Sequence, residues 1–161
     1  MAKQEKTNVM RTLERLKIPY QEHFYGDTEA ISGVEVAAVL GEDPARTFKT
    51  LVTVGKSKTH YVFMVPVAEE LDLKKAAAAA GEKSVSMLPQ KELLPLTGYV
   101  HGGCSPIGMK KSFPTFQHAG AEKLETVCVS GGKVGCQIEL KPEDLQRVTG
   151  LKYADLTAQR G

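Results

Sequence analysis

The chain has 161 residues, 42% hydrophobic and 25% charged, with a net charge of +2. One globular domain over residues 1–161 is expected, and at this size it buries about 70% of its unfolded surface without a metal or disulfide staple. No apolar run approaches the ~20 residues of a membrane span, and the polar start "MAKQEKTNVMRTLERLK" has no signal-peptide core. Three cysteines leave an odd thiol if two pair, so a reduced, cytoplasmic protein is the default reading. The basic excess is too small to prove a nucleic-acid partner or to exclude one.

Residues 7–18 place Val9, Met10, Leu13 and Leu16 at helical spacing behind Thr7 or Asn8 as a cap, and Pro19 stops that helix. "YQEHFY" (20–25) alternates, Tyr20, Glu22 and Phe24 against Gln21, His23 and Tyr25, as a half-buried strand does. Ser32 and Glu35 form an S-x-x-E capping box ahead of "VEVAAVLG", which Gly41 ends. "TFKTLVTV" (47–54) is a strand with Phe48, Thr50, Val52 and Val54 on one face and Thr47, Lys49, Leu51 and Thr53 on the other. With the turn "GKSK" and the strand "HYVFMVPV" (60–67) it makes a hairpin. "LDLKKAAAAAG" (71–81) is helical by propensity, and its alanines let a helix sit close to a sheet. "KSVSML" is a short strand, and "PQKELLPLTG" a short helix with Pro89 near its start. "ETVCVSGG" (125–132) and "VGCQIEL" (134–140) are strands about a Gly-Gly-Lys turn, and Pro142 opens a last helix. Strands and helices mix without strict alternation, so an α+β fold with a mixed or mainly antiparallel sheet is expected rather than a doubly wound one.

The candidate sites are few. "GKS" at 55–57 has the tail of a P-loop, but Thr50 stands where its first glycine belongs, so a hairpin turn is the better reading. The cysteines contain no C-x-x-C and the histidines no H-x-x-x-H; His101 with Cys104 is two ligands and not a zinc site, so no metal is expected. The stretch "GYVHGGCSPIGMKK" (98–111) holds the most chemistry. Its "HGGC" is like an oxyanion loop, yet the chain has no G-x-S-x-G elbow. Cys104 is either a nucleophile or a packed thiol, and Ser105, before Pro106, braces the turn. Gly102 and Gly103 permit main-chain N–H groups to face a cleft; a tight turn with no ligand explains them equally well. Lys49, inside an apolar strand, either faces water or anchors a phosphate or a polarised carbonyl.

"TFKTLV", "LDLKKAAAAAG", "TGYVHGGCSPIGMKK" and "VSGGKVGCQIEL", in this order, resemble the YbaK/EbsC family of free-standing aminoacyl-tRNA deacylases, over residues 7–158. That family is related to the editing domain inserted in bacterial prolyl-tRNA synthetases. The resemblance implies a mixed, largely antiparallel, barrel-like sheet with surrounding helices. It implies removal of cysteine from mischarged Cys-tRNA(Pro), with the acceptor end of tRNA as substrate and prolyl-tRNA synthetase as partner. It implies no cofactor, DNA or membrane. Deacylation of another residue, alanine or serine, by water, and a non-catalytic tRNA- or synthetase-binding module, are the alternatives. Matched motif by motif, the resemblance gives catalytic roles to Lys49, Gly102 and Gly103, and substrate binding to Tyr25, Ser130 and Gln137. Some members carry aspartate at the position of Gln137, whose amide oxygen can replace it as an acceptor but not as a charge. The family's chemistry implies that the substrate's own thiol attacks the ester, so the protein supplies orientation and oxyanion donors.

Overall fold

The computed structural model describes residues 6–26 and 33–158. Their elements are α1 (Asn8–Arg15), β1 (Gln21–Phe24), α2 (Gly33–Leu40), β2 (Phe48–Gly55), β3 (His60–Pro66), α3 (Leu73–Ala80), β4 (Val85–Met87), α4 (Leu93–Thr97), β5 (Thr115–His118), β6 (Val127–Ser130), β7 (Cys136–Leu140), α5 (Pro142–Thr149) and β8 (Lys152–Ala154). No helix among the described residues is long and apolar enough to cross a membrane.

Local chemistry accounts for the helix ends. Thr7 caps α1 by accepting the Met10 N–H, and Asp72 caps α3 by accepting the Lys74 and Lys75 N–H groups. Gly81 closes α3 with φ +73°, a left-handed conformation that glycine adopts without a steric cost. Ser32 of the expected capping box lies outside the described residues.

The strands form two sheets. One has the order β1-β7-β6 and is antiparallel. The other has the order β4-β2-β3-β5-β8, antiparallel at β4-β2-β3 and parallel at β3-β5-β8. The α+β architecture with a mixed sheet is therefore present, but the sheet does not close into a barrel. A parallel bridge between Thr47 and Cys128 links the two sheets. Strands β5 and β8 carry no sequence signal: they are four and three residues long, too short for alternation to show.

Strand β2 has both faces buried. Phe48 and Val52 join Val62, Met64, Val129 and Ile138 in one cluster, while Leu51 packs with Phe63, Val65 and Ala76 in the other. The small side chain of Ala76, fully buried, lets α3 pack closely on the second cluster.

Candidate active site

The site arises where β2 loses its neighbour. Pairing with β4 covers Thr53–Gly55, and the Leu88 N–H adds a bond to the Val52 carbonyl. The bonds Gly55 N–H to Thr59 O and Val67 N–H to Thr47 O direct odd-numbered residues of β2 toward β3. The main-chain groups of Thr50 therefore face the opposite edge, which no described strand covers.

A cavity of ≈ 250 Å³ occupies that edge. Its polar lining includes Tyr25, Lys49, Thr50, Gly102, Ser130 and Gln137, so five of the six residues expected from the sequence meet there. Val36, Phe48, Leu51, Val67 and Leu93 make its apolar walls. Among the described lining residues there is no carboxylate, and Lys49 supplies the fixed positive charge.

Gly103 is the exception. It does not border the cavity, and its N–H donates to the Val100 carbonyl at 2.9 Å. That N–H is engaged within the turn and is not offered to the cavity. Gly103 instead packs backbone to backbone against Lys133. Gly102 does border the cavity, with φ +87°.

The rest of the loop is anchored in the core. Ile107 is fully buried, its N–H donates to the Ser105 hydroxyl at 3.3 Å, and the Tyr99 hydroxyl donates to the Ile107 carbonyl. Ser105 thus braces the turn as expected. From the helix side, the Asn8 amide donates to the Gly108 carbonyl at 2.9 Å.

Ser130 has a similar double use. Its hydroxyl oxygen accepts the Gly132 N–H at 3.2 Å, holding the turn between β6 and β7, and it faces the cavity. Tyr25 is 8% exposed, and its N–H donates to the Gly135 carbonyl at 2.8 Å, which seats β1 beside the same turn. The Gln137 Oε1 and Thr50 Oγ1 atoms are buried without a hydrogen-bond partner among the described residues, a costly state unless a ligand supplies one. Thr50 was missed from sequence; its one signal was adjacency to Lys49. Lys49 Nζ lies 3.9 Å from Glu70 Oε1, but Glu70 is largely in solvent, so the pair holds the lysine loosely.

The cavity thiols are not activated. Burial pushes Cys104 up to about 12 and also raises Cys136, helped by the nearby Glu22 charge. A neutral thiol is a poor nucleophile. All three cysteines are unpaired.

Beside the cavity, on the same face of the three-stranded sheet, His23, Cys128 and Glu139 meet Glu42 and Arg46. The His23 Nε2 lies 2.8 Å from Glu139 Oε1. Burial pushes Glu139 up, yet hydrogen bonds from Thr126 and His23 outweigh it and hold its carboxyl below the usual range.

Known proteins share this sequence and fold. The sequence profile of the aminoacyl-tRNA editing domain family matches residues 28–148. A protein of Enterococcus faecalis (strain ATCC 700802 / V583) named "Putative Cys-tRNA(Pro)/Cys-tRNA(Cys) deacylase EbsC" is 47% identical over 157 residues, covering 97% of this chain and 96% of that protein. A crystal structure described as "a putative trans-editing enzyme for prolyl tRNA synthetase" superposes with a TM-score of 0.82 at 26% identity, over 94% of this chain and 96% of the other. A second, of hypothetical protein APE2540, shares the fold with a TM-score of 0.85 at 22% identity, over 94% and 99%. On the profile match over residues 28–148 and the full-length relative, the chain belongs to the aminoacyl-tRNA editing domain family.

Proposed function

We propose that this protein is a trans-editing aminoacyl-tRNA deacylase that releases cysteine from mischarged Cys-tRNA(Pro). The observation that carries this reading is a small cavity offering one ammonium, orphaned polar atoms and glycine backbone, with its own thiols held neutral. Such a site has little means of attacking an ester itself. It is suited to a substrate that brings the nucleophile.

In this mechanism the cysteinyl thiol attacks its own ester carbonyl. A C–S bond forms, the C–O bond to the ribose breaks, and the thiol proton ends on the ribose oxygen. The products are tRNA and a cyclic thiolactone, which water opens to cysteine. Gly102 N–H is the donor for the developing oxyanion, a group worth about 3 kcal/mol of barrier in comparable sites. Lys49 binds the terminal adenosine's phosphate or ribose oxygens. Gln137 Oε1 and Thr50 Oγ1 accept from the substrate's amino group. Tyr25 bonds the adenosine end beside Lys49, and Ser130 binds the substrate's amino or thiol group.

The chemistry explains selectivity. A synthetase pocket for proline discriminates against residues of similar size by only about 1–3 kcal/mol, so a second site must correct the error. Attack by a substrate thiol spares prolyl and alanyl esters. The chain then acts as a single editing domain in the cytosol, reading the acceptor end and relying on prolyl-tRNA synthetase for tRNA choice.

The test is ester loss from tRNA(Pro) charged with cysteine, alanine or serine. Rapid loss of the cysteinyl ester alone is expected. Survival of that ester removes the deacylase assignment, and equal loss of all three removes the thiol mechanism.

A further inference from the structure

The sequence shows no metal-binding spacing, yet the fold brings a ligand set together from three separate segments. His23 comes from β1, Cys128 from β6, and Glu42 from the segment after α2. One donor atom of each lies within 4.8 Å of the others, and His23 Nε2 is 4.0 Å from Glu42 Oε2.

The decisive atom is Glu42 Oε2. The Glu42 side chain is 6% exposed. Its other oxygen, Oε1, accepts the Thr47 hydroxyl at 3.1 Å, but Oε2 has no hydrogen-bond partner among the described residues. The His23 nitrogen stands 4.0 Å away, outside bonding range, and the Cys128 thiol, within 4.8 Å, offers at most a weak S–H contact. The one nearby fixed cation does not serve it: Arg46 Nη1 donates to Thr126 Oγ1 at 3.1 Å and leans toward Glu139 Oε2 at 3.7 Å. A buried carboxylate oxygen in this state needs a proton or a cation.

We propose that His23, Glu42 and Cys128 bind a thiophilic divalent transition metal, of which Zn(II) fits the donor set best. Nitrogen, sulfur and carboxylate oxygen are the usual zinc donors, at about 2.0–2.3 Å from the ion. In a tetrahedral site such donors stand about 3.4–3.7 Å apart, so the three close inward by roughly 1 Å on binding. The thiol releases its proton, and the thiolate and Glu42 carboxylate together balance the two charges of the ion. His23 Nε2 exchanges its contact with Glu139 for the metal, while Thr126 and Arg46 keep Glu139 in place. The fourth position is left to water or Glu139.

The consequence is mechanical. The metal pins β1 and β6 to the segment that leads into β2. Thr47, which hydrogen-bonds Glu42, lies at that junction and lines the cavity. The proposal is independent of the deacylase assignment.

Co(II) alone is the probe. Chelator-treated protein is titrated with Co(II), and the thiolate-to-cobalt charge-transfer band is followed. One ion per chain is expected, with the band lost in Cys128→Ser and kept in Cys104→Ser. Zn(II) is expected to displace the cobalt and, at about 100 times its Kd, to raise Tm by about 5–10 °C. Because Cys128→Ser alters the core, near-isosteric Glu42→Gln is the second variant; it should fold, and lose the zinc-dependent rise in Tm. Absence of the band in the wild type, its persistence in Cys128→Ser, or an equal zinc response in Glu42→Gln overturns the site.

Discussion

Gly103 lies so close to Lys133 that a Cβ built on it would stand 2.9 Å from the Lys133 Cα. The obstacle is backbone, and no rotamer change relieves it. Gly103→Ala must therefore push the turn between β6 and β7 away from the glycine loop. Overpacking of this kind costs about 1–3 kcal/mol, or about 2–4 °C of Tm per kcal/mol in a chain of this size. Since that turn bears on Ser130, deacylation should fall about tenfold. Thermal melts and single-turnover ester loss measure the two effects. A fall in Tm with unchanged deacylation shows that this packing does not shape the cavity.

Lys49 should separate activity from stability. Its partner Glu70 is solvated, so the pair adds under ~1 kcal/mol. Lys49→Ala is expected to lower kcat/KM for Cys-tRNA(Pro) by about 10–100-fold, the worth of a charge-assisted hydrogen bond. Glu70→Gln is expected to leave the rate within about twofold, as befits an exposed ion pair. Equal effects of the two substitutions would mean that the ion pair, not a substrate contact, is what matters.

Gln137 offers an acceptor that no described residue uses. Gln137→Leu removes a buried, unsatisfied amide oxygen, so stability should hold or rise by up to ~1 kcal/mol. KM should rise about tenfold, the loss of one hydrogen bond. Gln137→Asp restores an acceptor and should recover most of the affinity. Denaturant melts with steady-state kinetics on the three proteins give the comparison; an unchanged KM in Gln137→Leu removes the residue from the site.

Cys104 should prove inert. Burial puts its pKa at about 12, above the ordinary thiol value. The thiolate is thus scarce at neutral pH and grows with each pH unit toward that value, whereas a solvated thiol, with a pKa of about 8.5, is about nine-tenths ionised by about pH 9.5 and gains little beyond it. Iodoacetamide labelling of Cys104, followed by peptide mass spectrometry, should be slow at pH 8 and still accelerating beyond pH 9.5. Cys104→Ser should retain deacylation within about threefold, because a packed thiol contributes volume rather than chemistry. A complete loss would restore it as the nucleophile.

Much of this molecule is written in short stretches of its chain. Thr7 and Asp72 cap helices through N–H groups two or three residues away, and Gly81 ends one through its own φ. The β2-β3 hairpin follows from two strand-forming runs on either side of a four-residue turn, and Lys49, Gly102 and Ser130 stand in motifs legible without coordinates. These features need only neighbours in sequence. Tertiary structure decided everything that depends on distant partners. The parallel strands β5 and β8 acquire their conformation from ladders to β3 and to each other, so their sequences carry no period. Gly103 falls outside the cavity lining, its N–H held by Val100, and Thr50 enters the lining where β4 stops short of it. The grouping of His23, Glu42 and Cys128 spans over a hundred residues of chain. Local hydrogen bonding is encoded residue by residue, whereas which side chains share a buried space is set only when the whole sheet has packed.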